Sequence, residues 1–218
     1  MPLDLDDYLT PSPGVTCQAP QVLDLARRVA GKADDQGQAA IRLFEHVRDQ
    51  IAYSPYVPFW AMEHYEAPVV LARGTGFCIQ KAALLAALAR AARIPARLGF
   101  ADIENHLLGE RFLNYLGANL MTFHCWAELW LSGRWIKATP SFERRLCQEQ
   151  GWRLVEFDGQ NNAMLPADDL AGRPHITYLR QHFTSAGVPL NEILAAWEKV
   201  YGPDRLAAWR ADQEAGRG

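Results

Sequence analysis

Two residues of this sequence have the types and setting for nucleophilic chemistry: Cys78, which follows the turn Gly74-Thr-Gly-Phe77, and His124, 46 positions further on. Cys78 opens an Ala- and Leu-rich stretch that reads as a helix over 78–92. A thiol in the first turn of a helix faces the positive end of the dipole and unpaired backbone N–H groups, both of which favour the thiolate. The same N–H groups can hold an oxyanion. His124 is the expected base, because it falls on the polar side of the alternating stretch Phe123-His-Cys-Trp-Ala-Glu-Leu-Trp-Leu131. Spacing alone leaves the bland alternative standing, since a cysteine at a helix start is commonly a small core residue and a lone strand histidine is commonly structural.

The elements that must position this pair are legible as periodicity. Val22, Leu25, Ala26 and Val29 mark a helix over 20–31, and Ala40, Leu43, Phe44, Val47 and Ile51 mark another over 36–51. From Tyr53 to Pro68, three prolines among aromatic residues predict an irregular loop. Pro95 ends the central helix, and Ala96-Arg-Leu-Gly-Phe-Ala101 reads as a strand. Ser132-Gly133 has the form of a two-residue hairpin turn. That turn sets Trp130 opposite Trp135, Glu128 opposite Lys137, Trp126 opposite Thr139 and His124 opposite Ser141. Further helices are expected at 142–150, near 190–200 and at 203–213, with polar loops around Asp158–Asn162.

Longer motifs surround both residues. Gly76-Phe-Cys78, followed by Lys81-Ala-Ala-Leu-Leu-Ala-Ala-Leu-Ala-Arg90 and Arg93-Ile-Pro-Ala-Arg97, resembles the cysteine motif of transglutaminase-like proteins. His124-Cys-Trp-Ala-Glu-Leu-Trp-Leu131 with Gly133-Arg-Trp135 resembles their histidine motif, and Arg48-Asp-Gln-Ile-Ala-Tyr53 resembles the upstream segment. The resemblance covers roughly 38–145. It implies an α+β, papain-like fold in which the Cys78 helix packs on an antiparallel sheet bearing His124, flanked by further helices. It also implies thiol-dependent acyl transfer with Cys78 as nucleophile. Family members usually carry an aspartate four residues after the hairpin tryptophan to orient the imidazole, and here that position is Thr139. Three readings follow: Thr139 or Ser141 orients the ring by hydrogen bonding, Asp158, Asn161 or Asp102 replaces the aspartate, or the site is degenerate. The stretch Trp135-Ile-Lys-Ala-Thr-Pro-Ser-Phe142 resembles a bacterial subgroup that has Thr in this place.

The remaining features bound the function. The 218 residues suit one domain over 1–218, with a motif-supported core and a C-terminal extension from about 146. A net charge of -3 with interspersed signs gives no footprint for nucleic acid. No stretch of 18 apolar residues suggests a membrane span, and the acidic start, Met1 to Asp7, lacks the character of a secretory signal, so a cytoplasmic protein is expected. Cys17, Cys78, Cys125 and Cys147 are expected as free thiols. His124 and Cys125 point to opposite faces of a strand and Glu128 faces a lysine, so neither a metal nor another cofactor is expected. Trp126, Trp130 and Trp135 share a face with His124 and either wall a groove or are covered by the C-terminal helices, with Trp130 and Trp135 expected to be structural and Trp126 a candidate substrate contact, and His106 is expected to be incidental. Tyr53, Tyr56 and Trp60 are candidates for an oxyanion donor or substrate contact. The expected partner is a peptide, a protein or a small amide, with hydrolysis favoured over cross-linking and the oligomeric state open. A scaffold or binding module that keeps the fold without catalysis is the competing class.

Overall fold

The helix α4, Cys78–Ala91, has no polar face: every residue from Cys78 to Arg90 is buried. A helix that is apolar all round must be covered on every side. In the computed structural model, which describes residues 5–31 and 33–216, other elements provide that cover. The very first residues of the acidic start, 1–4, lie outside the described range. Helices α1 (Pro20–Ala30), α2 (Gln36–Gln50) and α3 (Ala67–Arg73) pack against α4, and the sheet lies across it through β3 (Ala96–Asn105) and β4 (Leu120–Leu131). A short parallel pair, β1 (Ala52–Tyr53) with β2 (Thr75–Gly76), sets Tyr53 beside Gly76 at the entrance to α4.

Three polar side chains inside α4 tie this cover together, because an unpaired buried donor costs roughly 1–3 kcal/mol. The Lys81 ammonium donates to the carbonyls of Arg48 and Ile51, locking the end of α2 onto α4. Gln80 donates to the carbonyls of Pro58 (2.9 Å) and His64 (3.1 Å) and accepts from Arg73 (2.9 Å), which fixes the proline-rich loop. Arg90 donates to the Ala96 carbonyl (2.7 and 3.0 Å) and to Ser12 Oγ (2.7 Å), anchoring the N-terminal segment.

The sheet is antiparallel, in the order β5 (Arg134–Ala138), β4, β3, β6 (Ile176–Ser185). The hairpin turn has positive φ at both Ser132 (51°) and Gly133 (81°), as a type I′ turn requires. The recorded register is the expected one from Leu131↔Arg134 to Ala127↔Ala138, and the Trp130 and Trp135 rings meet edge-on at 5.3 Å. It stops there. Pro140 has no N–H to continue a ladder, and the Thr139 N–H donates to the carbonyl of Ala163 (2.9 Å). Thr139 and Ser141 are therefore not held opposite Trp126 and His124. Glu128 pairs with Arg97 on β3 (2.7 Å) and not with Lys137, which sits over the Trp126 ring. Trp135 is covered by Tyr8 from the N-terminal segment, and not by the C-terminal helices.

Helices α6 (Arg144–Gln150), α7 (Leu190–Tyr201) and α8 (Pro203–Glu214) fall where expected. Helix α5 (Glu110–Leu116), α3 and β6 were not legible: the helices are only seven residues long, and β6 is a largely exposed edge strand with little apolar alternation. Among the described residues no helix is long and apolar enough to cross a membrane.

Trp126 explains a glycine in β3. A Cβ on Gly99 would lie 2.5 Å from Cε2 of its ring, well inside contact distance. Gly99→Ala is expected to lower stability by about 1–3 kcal/mol through overpacking, read as a lower urea midpoint at unchanged slope.

Candidate active site

The turn Gly74–Phe77 delivers Cys78 to the first position of α4. Gly74 holds the left-handed conformation (φ 68°) that closes α3, and the Gln80 side chain reaches back to the Phe77 N–H (3.4 Å). The backbone N–H groups of Cys125, Ile79 and Cys78 itself lie near the Cys78 sulfur and favour its thiolate. The first of these belongs to β4, next to His124, so the thiol sits at the junction of helix start and strand.

A bulge sets the strand at this point. Between β3 and β4 the pairing shifts by one residue, from Ala101↔His124 to Ile103↔Met121, and Phe123 has φ 58°. Asp102 accepts from the Thr122 hydroxyl (2.5 Å) and the Phe123 N–H (3.3 Å), and its Oδ1 also meets His182 Nε2 at 2.8 Å. Asp102 thereby holds the backbone just before His124.

Cys78 and His124 line one cavity with about 70 Å³ of free space. Tyr53, Phe59 and Phe77 form one wall, and Met121, Thr122 and Phe123 of β4 another. The rest comes from segments without motifs: Phe112, Tyr115 and Leu116 of α5, Trp197 and Tyr201 of α7, and Trp209 of α8. Helix α7 is pinned beside the site. Trp197 Nε1 donates to the Thr122 carbonyl (3.0 Å), and Tyr201 Oη accepts from the Thr122 N–H (3.0 Å) and donates to the Leu120 carbonyl (3.1 Å).

Burial decides the charge state of both reactive groups. It raises the Cys78 thiol to about 11, and the three N–H groups near the sulfur oppose it without prevailing. The depressed thiol pKa expected from a helix start is therefore absent in this cavity. Burial alone lowers the His124 imidazole to about 3. Thiol and imidazole are thus neutral together at pH 7, with no thiolate–imidazolium pair at rest. The Nε2 of His124 is buried and has no hydrogen-bond partner among the described residues.

None of the groups expected to orient the ring reaches it. The Thr139 hydroxyl points to Met164 Sδ (3.7 Å) and also acts on the Tyr178 hydroxyl. Ser141 Oγ is buried without a partner. Asp158 caps its own loop, accepting from the N–H groups of Gln160 and Asn161, and these bonds hold its carboxyl down at about 2. The Asn161 amide donates back to Asp158 (2.8 Å), and Asp102 is engaged with His182. The ring of Tyr178, from β6, is the aromatic neighbour of His124, at 6.0 Å.

Of the expected substrate contacts, Tyr53 lines the cavity. Trp126 does not: it is buried over Gly99, with its indole N–H on Glu128 (3.2 Å). Trp60 packs on Phe59 and His64, outside the lining, and Tyr56 packs edge-on against Tyr115 behind it. His106 is half-exposed and meets Thr177 Oγ1 at 2.9 Å.

Residues 23–140 match the family described as the transglutaminase-like superfamily. No curated protein matches the sequence. Among solved structures, the chain is similar to a candidate cysteine protease from Cytophaga hutchinsonii, with 19% identity and a TM-score of 0.50 over 84% of this chain and 57% of that one. It is also similar to the periplasmic domain of TgpA from Pseudomonas aeruginosa (19% identity, TM-score 0.44, 64% of this chain and 48% of that one). A candidate protease from Parabacteroides distasonis aligns with 22% identity and a TM-score of 0.41, over 63% of this chain and 25% of that one. The chain thus spans little more than half the length of the Cytophaga protein, and the likeness to it is one of fold.

Two outcomes follow from the neutral pair. Iodoacetamide labelling of Cys78, followed by intact mass, should accelerate about tenfold per pH unit from pH 7 to 10, as for a thiol titrating near 11; a rate independent of pH below 8 would reveal a thiolate paired with imidazolium. Acid should destabilise the fold through His124. The unfolded chain takes the proton near 6.5 and the folded one only near 3, so stability present above pH 6.5 is lost as pH falls toward 3, at up to about 1.4 kcal/mol per pH unit. The urea midpoint of His124→Phe should accordingly fall less between pH 7 and pH 4 than that of the unsubstituted protein.

Proposed function

Because the chain belongs to the transglutaminase-like superfamily, we propose that it is a cysteine-dependent amidase, peptidase or acyltransferase in which Cys78 attacks an amide carbonyl and His124 moves the proton. The observation that supports this most is that the two side chains line one cavity, with the backbone N–H of Cys125, the residue after His124, near the Cys78 sulfur.

The sulfur forms a bond to the carbonyl carbon while His124 accepts the thiol proton. The C–N bond then breaks as His124 returns that proton to the departing amine, leaving a thioester on Cys78. Water or a second amine attacks the thioester, the S–C bond breaks, and the sulfur regains a proton. The N–H groups at the start of α4 support the oxyanion, with the Tyr53 phenol in the same lining. No cofactor enters this scheme. Since thiol and imidazole are both neutral at rest, proton transfer accompanies attack instead of preceding it.

The orphaned Nε2 of His124 favours a second reading, a binding module that keeps the cavity without turnover. An imidazole with an unpartnered, buried nitrogen gains no stabilisation of its cation there. Incubating the full chain with small ester and amide donors, with intact-mass detection, separates the two. Acylation confined to Cys78, abolished in Cys78→Ala and slowed on the order of 10²- to 10⁴-fold in His124→Ala, is the expected result. Absence of any acyl adduct, or an adduct equally abundant in Cys78→Ala, would favour the binding module. Added hydroxylamine, by capturing the thioester, reports whether an amine can replace water.

A further inference from the structure

The cavity chemistry narrows the substrate beyond an amide in general. Among the described residues no Asp, Glu, Lys or Arg lines it, and apart from Cys78, His124 and Thr122 its walls are aromatic or aliphatic. Three of the polar tips in the aromatic walls are committed to the backbone; the phenols of Tyr53 and Tyr115 are not among them. Trp197 Nε1 donates to Thr122, Trp209 Nε1 donates to the Tyr115 carbonyl (2.9 Å), and Tyr201 Oη both accepts and donates on β4. Those rings can therefore offer their faces to a ligand but no free donor. A carboxylate or ammonium placed there would be desolvated without a partner, at a cost of several kcal/mol.

Size sets a second limit. About 70 Å³ of free space is roughly two waters' share of liquid volume, enough for a short aliphatic chain or the near part of one ring and too little for a folded loop. The walls from α5, α7 and α8 are held by hydrogen bonds, so this limit belongs to the fold and not to loose side chains.

Resting on the acyl-transfer reading above, we infer that the acyl donor is an amide whose acyl group is uncharged, apolar and short, with the C-terminal helices acting as its specificity wall. The acyl chain lies against Trp197, Tyr201 and Trp209, and the leaving amine faces the open side of the cavity.

The test has two arms. In the first, the full chain is assayed with 7-amino-4-methylcoumarin amides of acetic, hexanoic, benzoic and succinic acid. Hexanoyl or benzoyl is expected to exceed succinyl in kcat/KM on the order of tenfold or more, since each buried methylene contributes a few-fold. In the second, hexanamide and succinamic acid are titrated into Cys78→Ser, with binding followed by tryptophan fluorescence, where hexanamide should bind on the order of tenfold tighter. Equal or better use of the succinyl donor, or binding of succinamic acid as tight as hexanamide, overturns the inference while leaving the acyl-transfer reading intact. Tighter hexanamide binding without turnover or acyl-enzyme from any donor overturns the acyl-transfer reading, and with it the assignment of the ligand as a donor. Binding of neither amide overturns the inference directly. Trp209→Ala should narrow the hexanoyl-to-succinyl ratio; an unchanged ratio would remove the C-terminal wall from the proposal.

Discussion

The burial of α4 on every side is the constraint from which the rest of the structure follows. A helix of Ala and Leu with no polar face cannot sit at a surface, so three helices and a sheet must be wrapped around it. Lys81, Gln80 and Arg90 then become clamps, because each must find partners where water cannot reach, and each finds them on a different covering segment. The same burial brings the first residue of the helix, Cys78, into contact with β4 below the surface.

That position carries a cost for the chemistry. The start of the helix offers the sulfur two N–H groups and β4 a third, an arrangement that by itself favours a thiolate, yet loss of water around the group outweighs them. His124 suffers the same loss, with no hydrogen-bond partner for its Nε2 among the described residues. Two groups suited to exchange a proton are each held in the neutral state. A charge that develops only during attack, near the N–H groups and in a cavity of low polarity, costs less than one maintained permanently in the resting protein.

The C-terminal third gives the cavity its character. Helices α7 and α8 reach the site by spending indole and phenol hydrogens on backbone carbonyls, and their ring faces remain as the wall. Asp102 works in a comparable way from β3, gripping the left-handed turn at Phe123 and so fixing the backbone on which His124 sits. Neither contribution follows from a motif, because each depends on a tertiary approach between segments roughly 20 to more than 75 residues apart.

Local patterns in the sequence determined the elements and the pair. The apolar run after Cys78, the alternation around His124 and the Ser132-Gly133 turn lead to α4, β4 and the hairpin register because these depend on propensity, period and turn geometry, which are properties of neighbouring residues. The ion pair expected at Glu128 and the groove wall expected at Trp126 went elsewhere because β3 brought Arg97 to the one and Gly99 beneath the other. Thr139 lost its expected place beside His124 because the chain left the ladder at Pro140 to pair with Ala163. The charge state of Cys78 and His124, and the aromatic wall that faces them, were likewise decided only by tertiary structure, since desolvation and enclosure are set by whatever segments the completed fold packs around a residue.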